Sequence, residues 1–238
     1  MSILKQIICA LRWHRLTPRT KLDKFFKGRA VIHADILPEL GGRRLDKRIL
    51  QALSGCPAGG EVTLKLIDDR VIRMLIRHRL YIENQNHDTN VIEIRREAPG
   101  YVLYLDYIWF SRRACLEGLG AVALLRMAQA AQSLGFVRIE LLAAGGSGVK
   151  GMSWAEPYWG YVAWPRFGFD AELQPAMLSV TQAYPKLAQL RYVSELLAVD
   201  SEWWRRHGDG WQMAFDLRPD STSWQTLYSY LSEKRLTL

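Results

Sequence analysis

The 238-residue sequence predicts an α+β fold, a mixed and largely antiparallel sheet flanked by helices. Three observations lead there. Residues 61–97 alternate apolar and polar positions in short runs, as half-buried antiparallel strands do. Residues 118–134, "GLGAVALLRMAQAAQSL", are rich in Ala and Leu with a narrow polar stripe at Arg126, Gln129, Gln132 and Ser133, so they form a helix with most of its surface buried. Apolar runs on either side of that helix, "GYVLYLDYIWF" and "FVRIELLAA", read as strands of a parallel crossover.

In chain order, "MSILKQIICALRWHRL" reads as a short amphipathic helix with Leu4, Ile7, Ile8 and Leu11 on one face. Its apolar stretch is too short to span a bilayer. It either docks on the domain or serves as a membrane-surface or secretion address. Pro38 and the Gly41-Gly42 pair mark a turn, and "PAGGE" at 57–61 is a second break. "EVTLKLIDD", "RVIRMLIRHRLYIEN" and "VIEIRR" then read as antiparallel strands, with "QNHDTN" as the turn between the last two. The 100–110 strand is too apolar on both faces for an edge and belongs near the sheet's centre. Gly135 stops the long helix, and "GGSGVKG" is a loop after the next strand. "GYVAWPRFGFD", 160–170, is a short aromatic helix closed by a Gly-Phe pair. Beyond it, "QAYPKLAQLRYVSELL" reads mainly as helix and "SEWWRRHGDG" as a short helix and turn. "WQMAFDL" follows as a strand, and "DSTSWQTLYSYLSEK" as a closing helix with an Asp or Ser N-cap. This divides the chain into a basic helical extension (1–56), a core (57–175) and a C-terminal extension of helices and a strand packed on the core (176–238).

The net charge is +8, and its location matters more than its size. Residues 1–48 hold 12 lysines and arginines against four acidic residues, while residues 49–238 hold 20 of each sign. A basic arm on a neutral body suits an acidic macromolecule, RNA included, or remains solvated without a partner. The three cysteines, Cys9, Cys56 and Cys115, are scattered and fit a reducing, cytoplasmic compartment. No two of the five histidines stand at i and i+4, so no metal is expected.

The segment "CLEGLG" brings backbone N–H groups to the start of the long helix, where Gly118 and Gly120 allow close approach. Unpaired amides and the positive end of the helix dipole favour an anion such as phosphate, and Arg112 and Arg113 precede them. The bland alternative for this Gly-x-Gly is helix packing.

Antiparallel strands, a central strand, Gly-x-Gly opening a helix, "LGFVRIELLAA" and a short helix ending in "RFGFD" together resemble the GNAT acetyltransferase superfamily, over about residues 60–172. The resemblance implies a GNAT-like sheet with N- and C-terminal extensions, acetyl-CoA as cofactor and N-acyl transfer to an amine. It places the pyrophosphate on Arg113, Cys115, Leu116, Glu117, Gly118, Leu119, Gly120 and Ala121, and makes the Gly168-Phe169 helix the flank of the cofactor's thiol end. Cys115 stands where the family has Arg or Gln, and Trp164 where it often has the tyrosine that protonates the thiolate. An indole N–H does not give up its proton readily, which leaves Tyr161 or Tyr158 as the acid. Asp106, the one carboxylate in its apolar run, is expected to be buried and to serve as the base; Glu83 and Glu93 are alternatives. Asp106 reads equally as a salt-bridge partner.

Two readings from other classes stay open. One is a GNAT-like module without catalysis, in a phage-related or secreted assembly, favoured by Cys115 and Trp164. The other is a nucleic-acid-binding protein without cofactor, in which Trp203, Trp204 and Trp211 stack on bases instead of packing on the sheet.

Overall fold

The structure, a computed structural model, describes residues 24–82, 89–146 and 159–236. It is α+β, with a seven-stranded mixed sheet flanked by helices. At one edge β1 (Val31–His33) runs parallel to β4 (Glu61–Leu66). β4, β5 (Val71–Arg77), β6 (Asn90–Glu97) and β7 (Gly100–Tyr107) follow as an antiparallel meander. β8 (Arg138–Leu142) is parallel to β7, and β9 (Gln212–Asp216), antiparallel to β8, forms the far edge. β2 (Glu39–Leu40) and β3 (Arg43–Arg44) make a separate hairpin around Gly41 and Gly42, whose φ values of 56° and 80° suit a tight primed turn.

Strand alternation puts Val62, Met74, Ile92, Leu103, Leu105, Ile139, Leu141 and Phe215 on one buried face of the sheet. Two helices pack over it. α1 (Lys47–Leu53) is capped by Asp46, whose carboxylate accepts from the N–H groups of Arg48 and Ile49 at 2.8 Å. After the short α2 (Arg112–Leu116), α3 (Leu119–Ser133) makes the crossover from β7 to β8 and buries nine of its residues, Leu119 to Ala131. The other face is polar: Glu93, 3% exposed, lies between Arg73 and Arg95 at 2.6 and 2.7 Å, and Arg95 covers the ring of Tyr104.

Several elements differ from expectation. β5 stops at Arg77 because His78 turns inward, with its Nε2 3.1 Å from the Ala58 carbonyl and its ring stacked on Tyr81. No helix spans 182–197; α5 (Pro175–Thr181) ends before Pro185, whose missing N–H cannot continue it. α6 (Val193–His207) starts where Glu195 accepts from the N–H groups of Arg191 and Tyr192, and it is kinked at Asp200. Trp203, Trp204 and Trp211 are buried, so they pack against the domain and offer no stacking platform. β1 and α1 come from the stretch read as an extension, and β9 from the C-terminal one, so both are built into the sheet and core. α7 (Thr222–Glu233) closes the fold. The amphipathic stretch at 1–16, Glu83 and Tyr158 lie outside the described residues, as do 85–88 of "QNHDTN" and 147–151 of "GGSGVKG". Among the described residues no helix is long and apolar enough to cross a membrane.

Candidate functional site

β7 and β8 pair from Val102–Arg138 to Leu105–Leu141 and then part. Beyond that point β7 stays with β6, and the chain after β8 stays with the segment before β9, where the Ala143 N–H donates to the Trp211 carbonyl. The parting coincides with a bulge. Val91 faces Tyr107 while Ile92 faces Leu105, so Asp106 is an extra residue on β7. A bulge bends the strand and raises its twist, which turns the end of β7 away from its parallel neighbour.

A cleft of about 440 Å³ occupies the wedge. Leu105, Asp106, Tyr107 and Ile108 form one wall, and Leu141, Leu142 and Ala144 the other. α3 contributes Gly120, Ala121, Leu124 and Met127; α4 (Gly160–Arg166), with Phe167 just after it, contributes Gly160, Ala163 and Trp164. Among the described residues most of the lining is apolar, and the charged group on it is Asp106.

Two glycines on this cleft have different reasons to be glycine. A Cβ on Gly160 would sit 2.8 Å from the Ala144 carbonyl, so α4 can lie against the end of β8 only without a side chain there. Gly120 is in ordinary helical conformation, and a Cβ on it would meet nothing closer than Phe110 at 3.8 Å. Packing does not require Gly120; an unfilled cleft accounts for it better. Gly168 closes α4 with φ +93°, and a Cβ on it would fall 2.2 Å from the Ser223 carbonyl. The aromatics around it interlock: Trp164 is edge-on to Phe167 and Phe169, Phe169 to Phe215, and Phe167 to Tyr230 of α7 at 4.8 Å.

The residues expected to hold a diphosphate are divided by the structure. The N–H groups of Cys115, Glu117 and Gly118 donate to the carbonyls of Ser111, Arg113 and Cys115, so they belong to α2 and its turn. Leu119, Gly120 and Ala121 form the first turn of α3, which has no acceptors of its own for them, and Gly118 supplies no side-chain cap. Cys115, Gly118, Gly120 and Ala121 line the cleft. Leu116 is exposed. Arg113 reaches back to Glu117 at 3.5 Å, and Glu117 also binds Lys24 at 2.5 Å; Lys24 first, then Arg113, holds its carboxyl below the usual range. Leu236, 4% exposed, lies on Gly118 so closely that a Cβ there would be 2.4 Å from it.

The catalytic expectations fare unevenly. Asp106 lies at the cleft but is exposed: with Leu103 and Leu105 on the core face, strand alternation puts it on the opposite face with Tyr104, outside the core. Tyr161 is 6% exposed and points away from the cleft; its hydroxyl donates to the Arg205 carbonyl at 2.9 Å, and its own carbonyl accepts from the Trp204 indole. Glu93 is on the opposite face of the sheet, engaged by two arginines. Tyr230 and Tyr107 bring hydroxyl-bearing side chains to the lining instead. Tyr107 was within reach of sequence reasoning, next in the chain to the Asp106 that stands out in its apolar run. Nothing in the spacing of Tyr230 shows that α7 returns to a cleft built more than sixty residues earlier.

Comparison of the chain with protein-family models, with curated proteins and with solved structures finds no match in any of the three.

Proposed function

We propose that this chain is an acyl-CoA-dependent N-acyltransferase of GNAT-like fold, with acetyl-CoA as the donor implied by the resemblance. The observation that carries the reading is the parting of β7 and β8 at the Asp106 bulge, which opens a cleft beside the uncapped first turn of α3. Backbone groups left unpaired where strands separate are suited to align an amide-containing arm and to polarise a carbonyl. The amides of Leu119, Gly120 and Ala121 face the donor's phosphates. Asp106, or a water it holds, takes the ammonium proton of the acceptor as nitrogen attacks the thioester carbon. Tyr230 is placed to give a proton to the leaving thiolate in the role that Trp164 cannot fill. The acceptor is an amine, and the basic residues of 1–48 direct the search toward acidic macromolecules.

Titration with acetyl-CoA and with CoA, followed by thermal denaturation, tests this. Ligand at about 100 times its Kd should stabilise the protein by about 2.7 kcal/mol. Gly120→Phe should abolish the shift while keeping the fold, since space is open at that position.

A second reading, a GNAT-like binding module without catalysis, is favoured by Leu236 on Gly118 and by the engaged hydroxyl of Tyr161. It predicts no shift with either ligand.

A further inference from the structure

We infer that the end of the sheet where β7 and β8 part is a docking surface for an anionic lipid bilayer, which the protein meets peripherally. This goes beyond the acyl-transfer reading and stands without it. Two leucines carry the surface, Leu80 at 71% exposure and Leu116 at 81%, and neither lines the cleft. The turn after β5 that bears Leu80 is tied to the start of α2. There the Ser111 N–H donates to the Tyr81 carbonyl at 2.7 Å, and the Ser111 hydroxyl to the Leu80 carbonyl at 3.5 Å. Leu116 stands four residues after Arg112 on α2, so the two share a face. Arg79, Arg112 and Arg113 are exposed next to these leucines, and Lys24 reaches α2 through its ion pair with Glu117. Glu117 is taken up by Lys24 and Arg113, which leaves this group of side chains positive. Leucines exposed singly are ordinary; what distinguishes this pair is its setting among arginines and the sequence that arrives beside it. Residues 1–23, which lead into Lys24, carry five lysines and arginines against Asp23, with an apolar period at Leu4, Ile7, Ile8 and Leu11. Arginines interspersed with leucines, joined to a basic amphipathic sequence, match an interface with anionic headgroups and an apolar layer beneath them. A nucleic-acid backbone would engage the cations and leave the leucines in water.

Flotation of the full chain with vesicles of phosphatidylcholine alone, and of phosphatidylcholine containing a third phosphatidylglycerol, tests the inference. The protein should float with the anionic vesicles and stay behind with the neutral ones. Arg79→Gln and Arg112→Gln should each weaken binding about fivefold, the effect of roughly one charge near the membrane surface. Leu80→Ser combined with Leu116→Ser should weaken it about tenfold while leaving the thermal midpoint near the parent value, because both side chains face solvent in the fold. Absence of binding to anionic vesicles, or equal binding to neutral ones, overturns the inference. So does binding that the leucine pair leaves unchanged and that Ile7→Ser with Ile8→Ser abolishes, since attachment would then lie in residues 1–23 alone. Tighter binding to duplex RNA than to anionic vesicles, with no effect of the leucine pair on either, assigns the cations to nucleic acid and overturns it as well.

Discussion

Gly120 and Gly168 are both glycines of the cleft region, yet they answer to different physics. Gly168 combines a left-handed φ with a backbone carbonyl where its Cβ would be, so Gly168→Ala should lower stability by about 2–3 kcal/mol, read from chemical denaturation. Gly120 has a helical backbone and room beside it, so Gly120→Ala should raise stability by about 0.5–1 kcal/mol. If Gly120→Ala also weakens ligand binding, the residue is kept for the cleft and not for the fold. The cysteines give an independent probe at this scale. Cys56 is fully buried, and burial first, then the nearby Glu61, pushes its thiol up to about 12. Cys115 is exposed and lines the cleft; partial burial of its sulfur pushes the thiol up as well, so accessibility is what separates the two. Native protein should therefore be alkylated at Cys115 and spared at Cys56, as peptide mapping by mass spectrometry would show, and a bound ligand should protect Cys115.

Among the elements, α7 is the one that changes what the core can do. Gln132 near the end of α3 donates to the Leu217 carbonyl, while Leu236 just after α7 lies on Gly118 at the start of α3, so α7 runs back along that helix. Its C-terminus is sealed by Leu236 N–H donating to the Leu231 carbonyl at 2.8 Å, with Arg235 at φ 50°. This is the six-to-one closure in which the residue after the left-handed position packs back as an apolar lid. Leu236→Ala should lower stability by about 2 kcal/mol and enlarge the thermal shift given by CoA, because it uncovers the Gly118 bend. A loss of stability with an unchanged CoA response would show that the lid does not restrict the site. β7 supplies the complementary device: one extra residue at Asp106 separates two strands that are otherwise in register.

For the whole molecule, the two faces of the sheet have different roles. One buries the core and, at its end, the cleft; the other carries a charge ladder centred on Glu93. Burial pushes the Glu93 carboxyl up, but hydrogen bonds from Arg95 and Arg73 outweigh it and leave it below the ordinary carboxylate range. The folded state then holds this proton less readily than the unfolded state, whose value is about 4.3. The stabilisation is complete above about pH 5 and is lost as pH falls through the unfolded value toward the lower folded one. Glu93→Gln should lower stability at neutral pH by about 2–3 kcal/mol, the low end for a buried pair because both arginines are partly exposed, and should flatten the acid limb of a stability–pH curve.

The sequence by itself determined the antiparallel meander, the buried crossover helix between two apolar strands, and the helix closed by Gly168 and Phe169. Each of these rests on a local period or a residue with one conformational use. It also pointed to Asp106 and to Gly118 and Gly120, since a carboxylate in an apolar run and glycines opening a helix stand out in one dimension. Only the tertiary structure decided which of them meet. The unpaired position of Asp106 depends on a bulge that a neighbouring strand defines, the direction of Tyr161 on a carbonyl forty-four residues away at Arg205, and the covering of Gly118 on the return of α7. Periodicity records which face a residue belongs to, but it holds no information about distant segments, and a cleft is made where such segments converge.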